Sequence, residues 1–188
     1  MTAVKTQDHL YIVVSQTGTL LSRVLKLITG AQYNHVSLGL QPDLEYMYSF
    51  GRKNPYNPFY GGFVIESPKW GTFKRFSKTK VVVLSLDIGA EKHKEIAEHI
   101  EIMRQHQKEY GYNYLGLMFA YFKICRVYRN RYYCSEFVKY ILQHFSVNGA
   151  EMLEPISQPI HFLSIPNIHE IYSGLLQDYE KFYKSNLQ

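Results

Sequence analysis

Cys134 is the residue of this chain best placed for nucleophilic chemistry. It lies in the stretch 131–138, directly ahead of an amphipathic helical pattern. A thiol at a helix N-terminus lies near unpaired backbone N–H groups and the positive end of the helix dipole, and both favour the thiolate. A cysteine nucleophile also needs an imidazole that holds its proton and a polar group that orients the imidazole. His35 and Glu66, each on a predicted strand, could supply these two groups.

Each of these residues also has a structural interpretation. A lone cysteine before a helix is commonly a small apolar filler, and a lone strand histidine is commonly a hydrogen-bonded structural residue. Glu66 could face solvent or pair with Lys69 or Lys74. Residue types alone leave both interpretations open. Cys125 lies within an apolar aromatic stretch and is predicted to be inert core.

Other chemistries have weaker patterns in this sequence. His93, His99 and His106 lie six and seven residues apart, a spacing that does not form an i, i+4 metal pair. Ser135 lacks the Gly-x-Ser-x-Gly surroundings of a serine hydrolase. We therefore expect no metal and no other cofactor.

The composition predicts a single domain over residues 1–188. The chain is 46% hydrophobic and 15% aromatic, which is sufficient for a buried core. Its net charge of +5 is scattered, so nucleic acid is not an expected partner, whereas peripheral contact with an anionic membrane is compatible with it. Only two cysteines occur, and the first residues lack a signal-peptide pattern. We therefore expect a cytoplasmic protein.

Strands and then helices are predicted around these residues. Apolar runs or alternation predict strands at residues 10–14, 35–40, 46–50, 63–66, 72–76 and 80–86. Apolar spacing of three and four predicts helices at residues 19–28, 91–110, 115–125, after Cys134, and at 168–182. The glycine-rich and proline-rich residues 51–62 are predicted to be a loop that covers a cleft. The apolar helix 115–125 is predicted to pack in the core, being too short to cross a membrane.

Three segments of the chain, taken in order, resemble one known family. They are Asn-His-Val-Ser-Leu-Gly at 34–39, Phe-Val-Ile-Glu-Ser at 63–67 and Tyr-Cys-Ser-Glu-Phe-Val at 133–138. Together they resemble the permuted papain-like amidohydrolases of the YaeF/YiiX type, which are related to NlpC-type cell-wall peptidases and to lecithin:retinol acyltransferase. In that family a circular permutation places the histidine strand before the cysteine helix, which is the order found here. The resemblance covers roughly residues 10–145, and residues 112–117 also resemble a segment often found ahead of the cysteine.

The resemblance implies an α+β protein with a permuted papain-like (NlpC-like) fold. In such a fold an antiparallel sheet packs against the cysteine-bearing helix, with other helices flanking it. The resemblance also implies that Cys134 is the nucleophile, that His35 is the general base and that Glu66 orients the imidazole. The Cys134 backbone N–H would bind the oxyanion, helped by a tyrosine hydroxyl. The candidates for that hydroxyl are Tyr33, Tyr132 and Tyr133.

The expected function is that of a cysteine-dependent hydrolase, such as a peptidase or amidase, or of an acyl-transfer enzyme. It would act on an amide or ester through a thioester intermediate, and its substrate could be a small peptide, a wall peptide, another small amide or a lipid-acyl group. The alternative is a catalytically inactive papain-like domain that binds a lipid or an acidic partner through a basic, aromatic surface. The 17 tyrosines and the charge of +5 are compatible with that alternative. The intact trio favours the enzyme, because an inactive descendant would be free to lose any of its members.

Overall fold

A computed structural model describes residues 8–17, 32–54 and 57–186. The predicted helix 19–28 lies outside these ranges. The strands are β1 (His9–Gln16), β2 (His35–Gly39), β3 (Met47–Asn54), β4 (Asn57–Glu66), β5 (Lys80–Asp87), β6 (Gly111–Tyr112), β7 (Arg131–Tyr132) and β8 (His169–Leu175). The helices are α1 (Gly71–Arg75), α2 (Ala90–Gln105), α3 (Tyr114–Tyr121), α4 (Cys134–His144) and α5 (Tyr179–Asn186). Short 3-10 helices cover Ala150–Met152, Pro159–Ser164 and Leu176–Asp178.

The strands of the described residues form one sheet in the order β7-β6-β4-β3-β2-β1-β5-β8. Its ladders are antiparallel except for the two-residue pair of β6 and β7, which is parallel. Helices cover the sheet, and α4 packs against β2 and β3. An α+β architecture with a mostly antiparallel sheet is therefore confirmed.

Apolar residues are buried on both faces of the sheet. In β1, Leu10, Ile12 and Val14 join the core cluster that contains the apolar face of α4, whereas Tyr11 and Val13 join a second cluster on the opposite face. A strand that is covered on both sides has no polar side, so its apolar residues run continuously in sequence instead of alternating. This double burial explains why residues 10–14 are easily predicted as a strand.

The predicted loop 51–62 is wrong, because most of it is a β-hairpin. β3 and β4 pair from Met47 opposite Glu66 to Asn54 opposite Asn57, and residues 55–56 at the tip lie outside the described ranges. The glycines serve close packing within the sheet: a Cβ on Gly61 would lie 2.6 Å from the Tyr114 hydroxyl and 2.9 Å from the Gly51 carbonyl oxygen. Glycines that usually indicate turns here permit neighbouring groups to approach the strand.

Two further predicted elements differ in the structure. Residues 72–76, predicted as a strand, form the short helix α1, which begins at Gly71 with a φ of +65° and buries Phe73. Residues 168–182, predicted as one helix, form β8, a 3-10 turn and the start of α5. β8 pairs along the edge of β5, which supplies partners for its backbone N–H and C=O groups. This pairing determines the conformation of the segment, although its apolar residues are spaced as in a helix.

The predicted core packing of helix 115–125 is also wrong. α3 spans Tyr114–Tyr121, and Leu115 and Met118 on it are each more than half exposed. Cys125, predicted to be inert core, is exposed as well. The sequence is apolar enough for a core helix, but two of its large apolar side chains are exposed and Leu117 and Phe119 are only half-buried.

Candidate functional site

His35 begins β2, and Glu66 ends β4, two strands away in the sheet. The His35 Nε2–H group donates to both carboxylate oxygens of Glu66, at 2.9 Å to Oε2 and 3.1 Å to Oε1. Both side chains are 14% exposed. The structure therefore joins two residues that the sequence separates by 31 positions and makes them a nearly buried ion pair when His35 is protonated.

Ser37 completes this hydrogen-bonded group. Its hydroxyl donates to Glu66 Oε2 at 2.6 Å and lies 3.3 Å from His35 Nε2. Ser37 was not predicted as a site residue, although it lies two positions after His35 and therefore on the same face of the strand. That alternation was the sequence signal for its role.

Gly51 of β3 lies beneath the place where the two side chains meet. A Cβ at this position would be 3.9 Å from His35 Cε1 and 3.9 Å from Glu66 Oε1. Contacts of that length are ordinary, so an alanine would fit, but a longer side chain would fill the space beside the pair. The glycine leaves that space open, and it too was missed by sequence reasoning.

The ladder between β2 and β3 stops before it reaches His35. Only Leu38 opposite Tyr48 and Gly39 opposite Met47 are paired, whereas the ladder between β1 and β2 continues to Ser15 opposite His35. Beyond the last pair, the buried Ser49 hydroxyl donates to the Val36 carbonyl oxygen at 2.7 Å. A side chain thus takes the place of a ladder bond, and the end of β2 that carries His35 is separated from β3.

Cys134 is the first residue of α4 and is 8% exposed. The chain enters the helix through Tyr133, whose backbone is extended at φ −101° and ψ 169°. The thiol lies close enough to the His35 imidazole to contribute to its raised pKa. Cys134, His35 and Glu66, which were predicted as a trio from the sequence, are therefore neighbours in the structure.

The pKa of His35 is raised well above its ordinary value. Burial acts in the opposite direction and is the largest single influence, since it disfavours the charged ring. The charge of Glu66, hydrogen-bonding interactions with Cys134 and Glu66, and the charge of Cys134 all raise the pKa and together outweigh burial. The imidazolium form is favoured at neutral pH.

The side-chain amide of Asn113 connects the start of the cysteine helix to the start of α3 through hydrogen bonds. Asn113 caps α3 by accepting the Gly116 N–H at 2.8 Å, and its Nδ2 donates to Glu136 Oε2 at 3.0 Å. The same Glu136 oxygen accepts the Tyr133 N–H at 3.3 Å, as an acidic residue at the third helix position does in a capping box. Asn113 is buried, and burial raises the pKa of Glu136. Neither residue was assigned a site role from the sequence.

The three predicted oxyanion tyrosines lie in different surroundings. Tyr133 is buried beside the thiol, and burial, Glu136 and the charge of Cys134 raise its pKa. The Tyr132 ring packs on Phe50 at 5.1 Å, and burial and Tyr140 raise its pKa to about 12. Tyr33 packs against the main core, where its hydroxyl accepts from Gln32 Nε2 at 3.4 Å. Tyr133 is thus the candidate that the pKa contribution places nearest in effect to the thiol.

Tyr112 is a further neighbour of the thiol. Burial and then the charge of Cys134 raise its pKa well above the ordinary value. Its ring packs on Tyr114 with centroids 4.6 Å apart, and the Tyr114 hydroxyl is buried with no hydrogen-bond partner among the described residues. Residues 112–117 were noted for their family resemblance, but the proximity of Tyr112 to Cys134 depends on the parallel pair of β6 and β7 and could not be read from the sequence.

Within the described ranges, no group of three or more histidine, cysteine, aspartate or glutamate side chains could hold a metal ion. In the same part of the chain, no helix combines the length and apolar character required to cross a bilayer.

Comparison of the chain with family models, with curated proteins and with solved structures finds no match.

Proposed function

We propose that this protein is a cysteine-dependent hydrolase or acyl-transfer enzyme with a permuted papain-like fold. Cys134 is the nucleophile, His35 is the general base and acid, and Glu66 is the positioning residue. The observation that carries the proposal is the arrangement around one imidazole, in which Nε2 is held by Glu66 at 2.9 Å while the nearby Cys134 thiol interacts with the ring and contributes to its raised pKa. This is the set of groups that an activated cysteine requires.

The geometry assigns a separate role to each ring nitrogen of His35. Because Nε2–H donates to Glu66, Nδ1 is left to exchange a proton with the sulfur. Ser37 donates to Glu66 Oε2, the carboxylate oxygen nearer to His35 Nε2, and so helps to hold the carboxylate against the ring. The raised pKa of His35 keeps the ring protonated near neutral pH, and that positive charge stabilises the adjacent thiolate.

The reaction then follows in two halves. The Cys134 thiolate attacks the substrate carbonyl carbon, so a C–S bond forms and the carbonyl π electrons move to oxygen. The tetrahedral intermediate collapses, the C–N or C–O bond breaks, and the amine or alcohol leaves with the proton of His35. Neutral His35 next takes a proton from water or from an acceptor nucleophile, which attacks the thioester. The C–S bond breaks, and the thiolate and imidazolium are restored.

The oxyanion would be bound at the start of α4. The first backbone N–H groups of a helix have no partner within the helix, and that of Cys134 is among them. Tyr133 and Tyr112 supply hydroxyls near the sulfur, and their raised pKa values keep both hydroxyls protonated as donors. Tyr132 is directed into an aromatic cluster with Phe50 and Tyr140 and is the weaker candidate.

The test compares the two cysteines of the chain. Cys125 is exposed and Cys134 is buried, so accessibility alone predicts that Cys125 reacts faster with iodoacetamide. The proposed ion pair predicts the reverse order at pH 7. The rates are measured separately in Cys125→Ser and Cys134→Ser variants, in which a single thiol remains.

His35→Ala in the Cys125→Ser background should slow alkylation of Cys134, because the imidazolium that stabilises the thiolate is lost. Acyl transfer from an activated ester or amide should fall by about 10²–10⁴-fold in the same variant. A Cys134 thiol that alkylates more slowly than Cys125 and that does not respond to His35→Ala would refute the proposal.

A further inference from the structure

An apolar surface is exposed on α3 and the residues that follow it. We call it the α3 surface, and it consists of Leu115, Met118, Phe122, Ile124 and Val127. These side chains are between 45% and 80% exposed. Single exposed apolar residues are ordinary, but a contiguous group of them on a small protein generally marks an interaction site.

The spacing places three of these five residues on one side of the helix and its C-terminal end. Leu115, Met118 and Phe122 are three and four positions apart and therefore lie along one side of the helix. Gly116 on another side is buried, and its N–H is held by the Asn113 cap. A helix that packed in the usual way would turn its apolar side inward. α3 is anchored by its start and presents that side to the exterior.

The charge near this surface has one sign. Residues 110–133 contain four basic residues and no acidic residue, although the whole chain has 16 acidic residues. The basic residues are Lys123, Arg126, Arg129 and Arg131. Lys123 and Arg126 are exposed at the end of α3, and the Arg126 guanidinium lies 5.8 Å from the centre of the Phe119 ring. Apolar side chains flanked by cations fit a surface whose polar layer is negative and whose interior is hydrocarbon.

The α3 surface is also connected to the thiol. Asn113, which caps α3, hydrogen bonds to Glu136 in the first turn of the cysteine helix. Tyr112, directly before that cap, interacts with Cys134. The start of the helix that carries the surface is therefore joined to the start of the cysteine helix.

We propose that the α3 surface docks the protein on anionic lipid bilayers, with the apolar side chains entering the interface and the basic residues contacting lipid head groups. An acidic protein would satisfy the cations but not five exposed apolar side chains. A second copy of this chain would bring four cations against four like charges. If the proposed thiol chemistry is correct, docking places Cys134 beside acyl amides or esters at the lipid interface, but the docking itself does not depend on that chemistry.

The test uses co-sedimentation with vesicles of phosphatidylcholine alone and of phosphatidylcholine with 30% phosphatidylserine at low salt. The wild type should bind the anionic vesicles, bind the neutral vesicles weakly, and lose affinity as salt rises. Lys123→Glu with Arg126→Glu should weaken binding by about tenfold or more, since each cation near an anionic surface contributes about fivefold. Leu115→Ser with Met118→Ser should also weaken it by about tenfold or more, because two apolar side chains are lost.

The controls repeat each chemical change elsewhere on the surface. Lys74→Glu with Lys78→Glu alters the charge equally at two exposed lysines in and after α1. Ile102→Ser with Met152→Ser removes two exposed apolar side chains that lie outside the α3 surface. Both control pairs should bind the anionic vesicles within about twofold of the wild type, and so should Cys134→Ala. Retained binding by Cys134→Ala separates docking from the proposed catalysis.

A spectroscopic readout reports insertion directly. Trp70 is the single tryptophan, so Met118→Trp in a Trp70→Phe background places one probe on the α3 surface. Its emission should shift to shorter wavelength with anionic vesicles, whereas the emission of Ile102→Trp in the same background should not shift. The proposal would be overturned by equally weak binding to both vesicle types or by equal losses of binding in the control pairs. It would also be overturned if the wild type were a dimer that Leu115→Ser with Met118→Ser converts to a monomer.

Discussion

The hydrogen-bonded group of Glu66, His35 and Ser37 makes one residue, His35, sensitive to pH in a definite direction. The pKa of His35 is raised in the folded protein. The contribution of its ion pair with Glu66 to the free energy of unfolding is therefore fully present below the pKa of the unfolded state, which is about 6.5. It disappears as the pH rises through the folded pKa, because the ring loses the proton that pairs with Glu66.

Glu66→Gln should therefore lower the pKa of His35 and reduce the free energy of unfolding most strongly near pH 6. The difference from wild type should shrink toward alkaline pH. NMR titration of the His35 ring and urea unfolding at several pH values measure the two effects. Glu45→Gln is the matched control, because Glu45 contacts Lys69 at 3.4 Å in a surface pair. A His35 titration that is the same in Glu66→Gln and wild type would rule out the carboxylate as the cause.

At the residue scale, the trio of Cys134, His35 and Glu66 could be predicted from residue types and chain order. The structure brings all three together. Tyr112 and Gly51 could not be predicted, because their positions depend on strand pairings made between distant parts of the chain. Side-chain chemistry is local to the sequence, whereas proximity is set by sheet register.

At the element scale, Ser49 has a structural role, because the ladder between β2 and β3 ends before it. Ser49 is buried and its hydroxyl donates to the Val36 carbonyl oxygen. Ser49→Ala removes this donor from a buried carbonyl and should lower the free energy of unfolding by about 1–3 kcal/mol. Urea unfolding measures the change. Ser173→Ala, at an exposed position of β8, should alter it by less than about 0.5 kcal/mol. Equal effects of the two substitutions would contradict the task assigned to Ser49.

The amide of Asn113 joins two helix starts, so its replacement by a carboxylate should be more harmful than a usual surface change. Asn113→Asp keeps an oxygen that can cap α3 but places a second negative charge beside Glu136. We expect a loss of about 1–3 kcal/mol in the free energy of unfolding at pH 8, and a smaller loss at pH 5, where protonation relieves the repulsion. Asn167→Asp, at an exposed position, is the control. A loss that does not depend on pH would exclude charge repulsion as its cause.

Elements were predicted well where burial left a clear pattern. The strands at 10–14 and 80–86 were predicted because both faces are covered. The helix 168–182 was mispredicted because pairing with the edge of β5 determines the conformation of β8. Residues 115–125 were correctly predicted as largely helical, but the direction of their apolar face depends on how Asn113 anchors the helix start.

At the scale of the whole molecule, the C-terminal part covers one face of the sheet. Tyr179 is 1% exposed, its hydroxyl donates to the Pro42 carbonyl oxygen at 2.7 Å, and its ring packs on Tyr172. These contacts connect α5 to the turn after β2, far away in sequence. Residues after 145 are therefore part of the fold and not an appendage, a role that the family resemblance did not cover.

Tyr179→Ala should lower the free energy of unfolding by about 3–5 kcal/mol, because it leaves a large cavity in the second core cluster. Tyr179→Phe should cost only about 1 kcal/mol, since it removes one hydrogen bond. Circular dichroism and alkylation of Cys134 should report the same urea midpoint if both faces of the sheet unfold together. Tyr46→Ala, at an exposed tyrosine, should change the midpoint little. Different midpoints for the two probes would mean that the C-terminal face unfolds separately.

The parallel pair of β6 and β7 has a consequence for how such a protein can diversify. The chain leaves the sheet after Tyr112 and returns at Arg131, on neighbouring strands that are about 4.8 Å apart. Residues 115–129 thus form a connection whose two ends lie close together and are held by the strand pair, whatever the sequence between them. A segment of different length or polarity could be exchanged there at little cost in loop-closure entropy. Insertion or replacement at this point would redirect the protein to another surface while the residues around the thiol kept their places.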